Sequence, residues 1–169
     1  MILNRQRQIP IPIAPLNAFL ARVRRRLDLP RDSLTVCFVS DAEIARWNRA
    51  YRGKNGPTDV LSFPVGASPD SSERRQNGLA PGNAFRARPR SGEKARTESR
   101  VPSARYLGDI AISPESALRN ARRFKRNFDE ELRILILHGA IHLLGYDHET
   151  DNGEMERHEI ALRRSLGLS

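Results

Sequence analysis

The chain has 169 residues, one cysteine and a net charge of +9, from 29 Lys and Arg against 20 Asp and Glu. That length suits a single domain with its own core, one cysteine excludes a disulfide scaffold, and no stretch approaches the roughly 18 apolar residues of a membrane span. Pro10, Pro12 and Pro15 interrupt any export-signal pattern near the start, so a cytoplasmic protein is expected, whose positive balance favours polyanions such as nucleic acid.

In chain order, Ile9, Ile11 and Ile13 alternate with prolines, a pattern suited only to an edge strand. Leu16, Phe19, Leu20, Val23 and Leu27 follow helical spacing, with Pro15 in the first turn. Leu34 to Val39 is β-branched and aromatic, a strand in which Cys37 reads as a small buried hydrophobe. Ser40 and Glu43 form a capping box for a helix that buries Ile44, Trp47 and Tyr51. Val60 to Val65 and Leu107 to Ile112 are strands expected to pair as an interrupted hairpin. Between them, from about 67 to 104, Ser, Pro, Gly and Arg dominate without periodicity. Such a segment buries too little apolar area to offset its ordering entropy, so a disordered basic insertion is expected there. Arginines such as Arg74, Arg86 and Arg96 suit either RNA phosphates or plain solvation.

Ser113-Pro114-Glu115 starts the next helix, and Asn127 and Asp129 cap another from about Glu130 to Leu144. A last helix is expected to open at Asp151, with Glu154 three residues on, carrying Met155, Ile160, Leu162 and Leu166. The sum is a single α+β domain spanning residues 1–169, a small mixed sheet of about four strands layered with about five helices.

The helix from Glu130 is apolar nearly all round, which places it in the core. His138 and His142 therefore need an explanation. They lie four apart and so project from one face, one turn apart. Gly145 can end the helix in the left-handed conformation and return His148 toward them. A lone histidine on an apolar helix is usually a hydrogen-bonded core residue, but three of the chain's four histidines stand in this block. Three imidazoles at about 2.0–2.1 Å from one point suit zinc with an open fourth position, the arrangement of a catalytic site. Nickel also accepts imidazoles. Gly139 stands where the zinc-protease pattern His-Glu-x-x-His keeps its general base, which argues against peptide hydrolysis. Asp147 suits a ligand's second nitrogen or a turn, Met155 suits the core, and His158 suits the surface or the surroundings of the site. Upstream, Gly53, Gly56 and Pro57 make a tight turn that presents Arg52 and Lys54. Arg52 there suits a phosphate as well as it suits solvent.

HGAIHLLGYDH (138–148), YRGKNGPTDVLSFP (51–64) and LGDIAIS (107–113), in this order, resemble the YbeY family. The resemblance implies a single-strand-specific, metal-dependent endoribonuclease of 16S ribosomal RNA maturation and ribosome quality control. Its partners would be ribosomal RNA and the small ribosomal subunit, with no DNA or membrane. It implies one zinc ion per chain, held by His138, His142 and His148, and a catalytic or substrate-binding Arg52. The expected chemistry is phosphodiester hydrolysis by metal-activated water, with Arg52 and Lys54 neutralising the phosphate. Two other classes fit the residues: a non-enzymatic, zinc-containing ribosome assembly factor, and a metal hydrolase of another substrate.

Overall fold

The structure is a computed structural model that describes residues 1–65, 106–146 and 153–168. The basic insertion at 67–104, Asp147, His148 and Asp151 lie outside the described residues. In chain order the elements are β1 (Ile2–Asn4), α1 (Ile13–Arg26), β2 (Leu34–Phe38), α2 (Asp41–Arg52), β3 (Val60–Pro64), β4 (Gly108–Ile112), α3 (Pro114–Arg123), α4 (Phe128–Leu143) and α5 (Glu154–Leu166). The strands form one mixed sheet in the order β1-β2-β4-β3. Its β1–β2 and β2–β4 pairs are parallel, while β3 pairs antiparallel with β4 through Leu61↔Ala111 and Pro64↔Gly108. This is the expected α+β architecture with its interrupted hairpin.

Alternation along the strands divides the interior in two. Leu34, Val36, Phe38, Ile110 and Ile112 face a large core built with α1, α3, α4 and α5. Cys37, Leu61, Phe63 and Ala111 face the other way, onto Ile44 and Trp47 of α2. There the Phe63 ring meets Trp47 and Tyr51 edge-on, at 5.9 and 5.0 Å between centroids. Every residue of β2 and of β4 is buried, the polar Thr35 and Asp109 included, as befits central strands covered on both faces.

Three expectations need correction. Ile9, Ile11 and Ile13 do not form the edge strand: Ile2–Asn4 takes that place, and Ile13 opens α1. Pro10 and Pro12 have no amide to give a ladder, and the Ile9 amide donates to the Gln6 side chain at 2.9 Å while Gln6 Nε2 donates back to the Ile9 carbonyl at 2.8 Å. The capping box is half realised, because Ser40 Oγ accepts from the Glu43 amide at 3.3 Å but the Glu43 carboxylate pairs with Arg5 at 2.9 Å. The last helix begins at Glu154, after a left-handed Gly153 (φ 79°), rather than at Asp151.

Candidate metal centre

α4 passes over the sheet so closely that a Cβ on Gly139 would stand 2.6 Å from Ile110 Cγ2. The Gly139 carbonyl also accepts from Ser62 Oγ of β3 at 3.1 Å. The glycine that stands where a zinc protease keeps its base is thus also a packing requirement: a side chain between α4 and β4 at that point would have to displace Ile110. This close approach fixes the rotation of the helix. From Ile134 to Leu143, His138 and His142 are the two positions that are not buried.

Their rings meet edge-on with centroids 4.6 Å apart, and the two Nε2 atoms are 3.1 Å from each other. Behind His138, its Nδ1 lies 3.0 Å from Glu159 Oε2 of α5. Glu159 is 5% exposed and also accepts from Arg163 Nε at 3.0 Å. Burial alone would raise the Glu159 pKa, but the hydrogen bond and charge of His138, with those of Arg163, outweigh it and hold the carboxyl below its ordinary value. A carboxylate at this position accepts from Nδ1–H, and in the neutral ring that makes His138 Nε2 the bare, electron-donating nitrogen.

Two nitrogens on one tetrahedral zinc, each about 2.0–2.1 Å from it, are about 3.3 Å apart, close to the observed separation. The donor chemistry and spacing of this pair therefore fit zinc. Among the described residues no group of three or more His, Cys, Asp or Glu side chains is placed to hold a metal, and His148 lies outside them. The turn meant to return it is present as far as it is described. Gly145 has φ 94° and its amide donates to the His142 carbonyl at 3.0 Å. Tyr146 then stacks on His158 of α5, centroids 5.1 Å apart and planes at 14°. So α5 meets the α4 end twice, through Glu159 on His138 and through His158 on the turn. Met155 is fully buried in the large core.

The second expected cluster lies across the edge strand. α2 ends at Arg52 with a left-handed Gly53 (φ 62°), and Asn48 Nδ2 donates to the Gly56 carbonyl at 3.0 Å, which fixes the turn. Arg52 and Lys54 are exposed. On β3, Phe63 meets Tyr51 of α2 while Ser62 bonds α4, so this turn and the histidine pair flank β3 from its two faces. Asp59 is a fastener: its carboxylate accepts from the Val60 amide and from Asn120 Nδ2 of α3, both at 2.8 Å.

Glu159 escapes a reading of the sequence. A signal for it exists: Met155, Glu159, Leu162 and Leu166 are the buried residues of α5, spaced as one helical stripe whose single charged member is Glu159.

Comparison with known proteins places the whole chain in one family. The family model Endoribonuclease YbeY matches residues 2–167. The chain is 36% identical over 135 residues to the endoribonuclease YbeY of Nautilia profundicola, covering 80% of this chain and 73% of that protein. It is 35% identical over 168 residues to that of Koribacter versatilis, covering 99% and 86%, and 40% identical over 138 residues to that of Roseiflexus sp., covering 79% and 70%. Among solved structures, TM1509 from Thermotoga maritima superposes with a TM-score of 0.55 at 25% identity, over 98% of this chain and 89% of that one. The match over nearly the whole chain and the identities to these relatives lead to one conclusion: the chain belongs to the endoribonuclease YbeY family.

Proposed function

We propose that this chain is a zinc-dependent endoribonuclease that cuts single-stranded ribosomal RNA in small-subunit maturation and ribosome quality control. Membership of a family whose relatives are named endoribonucleases supports the nuclease activity. The observation that carries the metal is the His138–His142 pair, with its Nε2 atoms 3.1 Å apart and Glu159 behind one of them. One zinc per chain would be held by His138, His142 and His148. Bound there, it would supply Lewis acidity and acidify a coordinated water.

The chain's own residues do the rest. Glu159 holds the His138 Nδ1 proton and so keeps Nε2 turned outward. Arg52 and Lys54, on the turn across β3, neutralise the scissile phosphate, and a guanidinium there can hold two phosphate oxygens at once. No helix of the described residues is long and apolar enough to cross a membrane, which suits a substrate carried on the ribosome.

The test compares wild type, His142→Ala and Arg52→Ala for metal content and for cleavage of single-stranded ribosomal RNA. His142→Ala should lose both. Arg52→Ala should keep its zinc and cleave about 10²–10³-fold more slowly, as expected for removal of one preorganised charge partner. Cleavage that survives zinc loss would sink the metal reading. Salt-dependent RNA binding without cleavage in the zinc-loaded wild type would favour the assembly factor.

A further inference from the structure

α1 carries two stripes. Leu16, Leu20 and Val23 are fully buried in the core, whereas Asn17, Ala21, Arg24 and Arg25, also at helical spacing, line a cleft of about 560 Å³ closed by the 29–32 connection to β2. Ala21 leaves the room. Three arginines, Arg24, Arg25 and Arg31, line the cleft against one carboxylate, Asp32.

Arg24 is the unusual member. It is 9% exposed, and its Nη2 donates to the Leu34 carbonyl at 2.6 Å. Among the described residues its buried Nε has no hydrogen-bond partner, and no ion pair to a carboxylate reaches it. Burial lowers the Arg24 pKa, Asp32 acts against that, and Arg31 adds to it. A buried guanidinium normally has its charge matched by a bonded anion. Here Asp32 is the one carboxylate that lines the cleft beside three arginines, so the cleft carries an excess of positive charge.

The cleft is also well placed. Arg24 bonds the Leu34 carbonyl at the start of β2, and Leu34 pairs with Gly108 at the start of β4. Leu143, which follows His142, packs against Gly108. Both α1 and α4 belong to the large core on one face of the sheet. The cleft, at the β1–β2 side, and the end of the histidine helix, at the β4–β3 side, thus lie toward the same end of the sheet.

We infer that the arginine-lined cleft of α1 is a second phosphate-binding subsite, which holds the backbone of an RNA strand beyond the point of cleavage. The inference rests on the RNA-cleaving reading above. Guanidinium groups grip phosphate oxygens in pairs and read no base, so the subsite lengthens the footprint without adding sequence preference.

The test is Arg25→Ala/Arg31→Ala, which leaves the buried Arg24 in place, assayed on single-stranded RNAs of about 5 and about 20 nucleotides. The matched control removes the same charge from the opposite face, as Arg46→Ala/Arg49→Ala; both residues are exposed on α2. The cleft variant should raise KM for the long RNA about tenfold with kcat unchanged, and flatten its salt dependence by about 0.7 per lost contact. Cleavage of the short RNA and the thermal unfolding midpoint should not move. The subsite is overturned if the long-RNA KM is unchanged, if the α2 control raises it equally, or if the short RNA suffers as much as the long. A wild type inert toward both RNAs would instead overturn the ribonuclease reading, and the subsite with it.

Discussion

Asp41, at the head of α2, and Glu159, midway along α5, are both carboxylates that collect an arginine and other donors. Asp41 accepts from Ser113 Oγ, from Ser116 Oγ at 2.8 Å and from Arg119 at 2.7 Å. Glu159 accepts from Arg163 and faces His138. In each, burial pushes the pKa up and the donors more than reverse it. The difference lies in what the partners do next. Ser113 caps α3, so the Asp41 cluster ties two helix starts together and ends there. His138 turns its second nitrogen onto His142, so the Glu159 cluster ends in two imidazole nitrogens 3.1 Å apart. The same electrostatic construction makes a fastener in one place and, on the zinc reading proposed above, a ligand support in the other.

The sharpest way to break this comparison is to neutralise each carboxylate in turn. Glu159→Gln should weaken zinc binding about 10–100-fold, the usual cost of losing a carboxylate behind a ligand imidazole. Zinc competition against a chromophoric chelator reads this directly. Asp41→Asn should leave zinc affinity unchanged. If both substitutions weakened zinc alike, Glu159 would be acting through general stability and the distinction would fail.

Gly139→Ala probes the close approach that turns the histidines outward. Its Cβ would meet Ile110 Cγ2 at 2.6 Å, on a β-branched side chain that has little freedom to move aside. A loss of about 1–3 kcal/mol in unfolding free energy is expected, the range for overpacking a filled core. Combined with Ile110→Ala, the loss should be less than the sum of the single effects, because the second change removes the clashing atom. Strict additivity would mean that the helix and strand are not in contact as described.

These positions also show where a linear reading reaches and where it stops. His138 and His142 stand out because α4 is otherwise apolar from Ile134 to Leu143, so a polar pair at helical spacing announces itself. The Ser113 and Asn127 caps and the β3–β4 hairpin are equally local and were readable. Glu159 was not, since α5 also carries Glu154, Glu156, Arg157, Arg163 and Arg164; only the burial pattern separates it from its solvated neighbours. The edge strand failed for a related reason. Ile9, Ile11 and Ile13 alternate as a strand does, but which amides reach a ladder depends on the Gln6 side chain three residues away. Ile2–Asn4 is three residues long, too short for any periodicity to show.

The smallest effect expected is on the fastener itself. Asp41→Asn should cost about 1 kcal/mol of stability, since the partner Arg119 is largely exposed and solvent screens much of that pair. The pH dependence sharpens the assignment. The folded-state pKa of Asp41 lies below its ordinary value, so the unfolded chain binds the proton more readily. The stability Asp41 contributes is therefore fully present above the unfolded pKa, about 3.9, and is lost as pH falls through the folded one. Denaturant unfolding of wild type and Asp41→Asn at a series of pH values should show a gap that is steady above about pH 5 and closes as the solution is acidified toward the folded pKa. A gap that persisted unchanged into acid would mean that the Asp41 side chain works through its shape rather than its charge, and the likeness to Glu159 would then be geometric only.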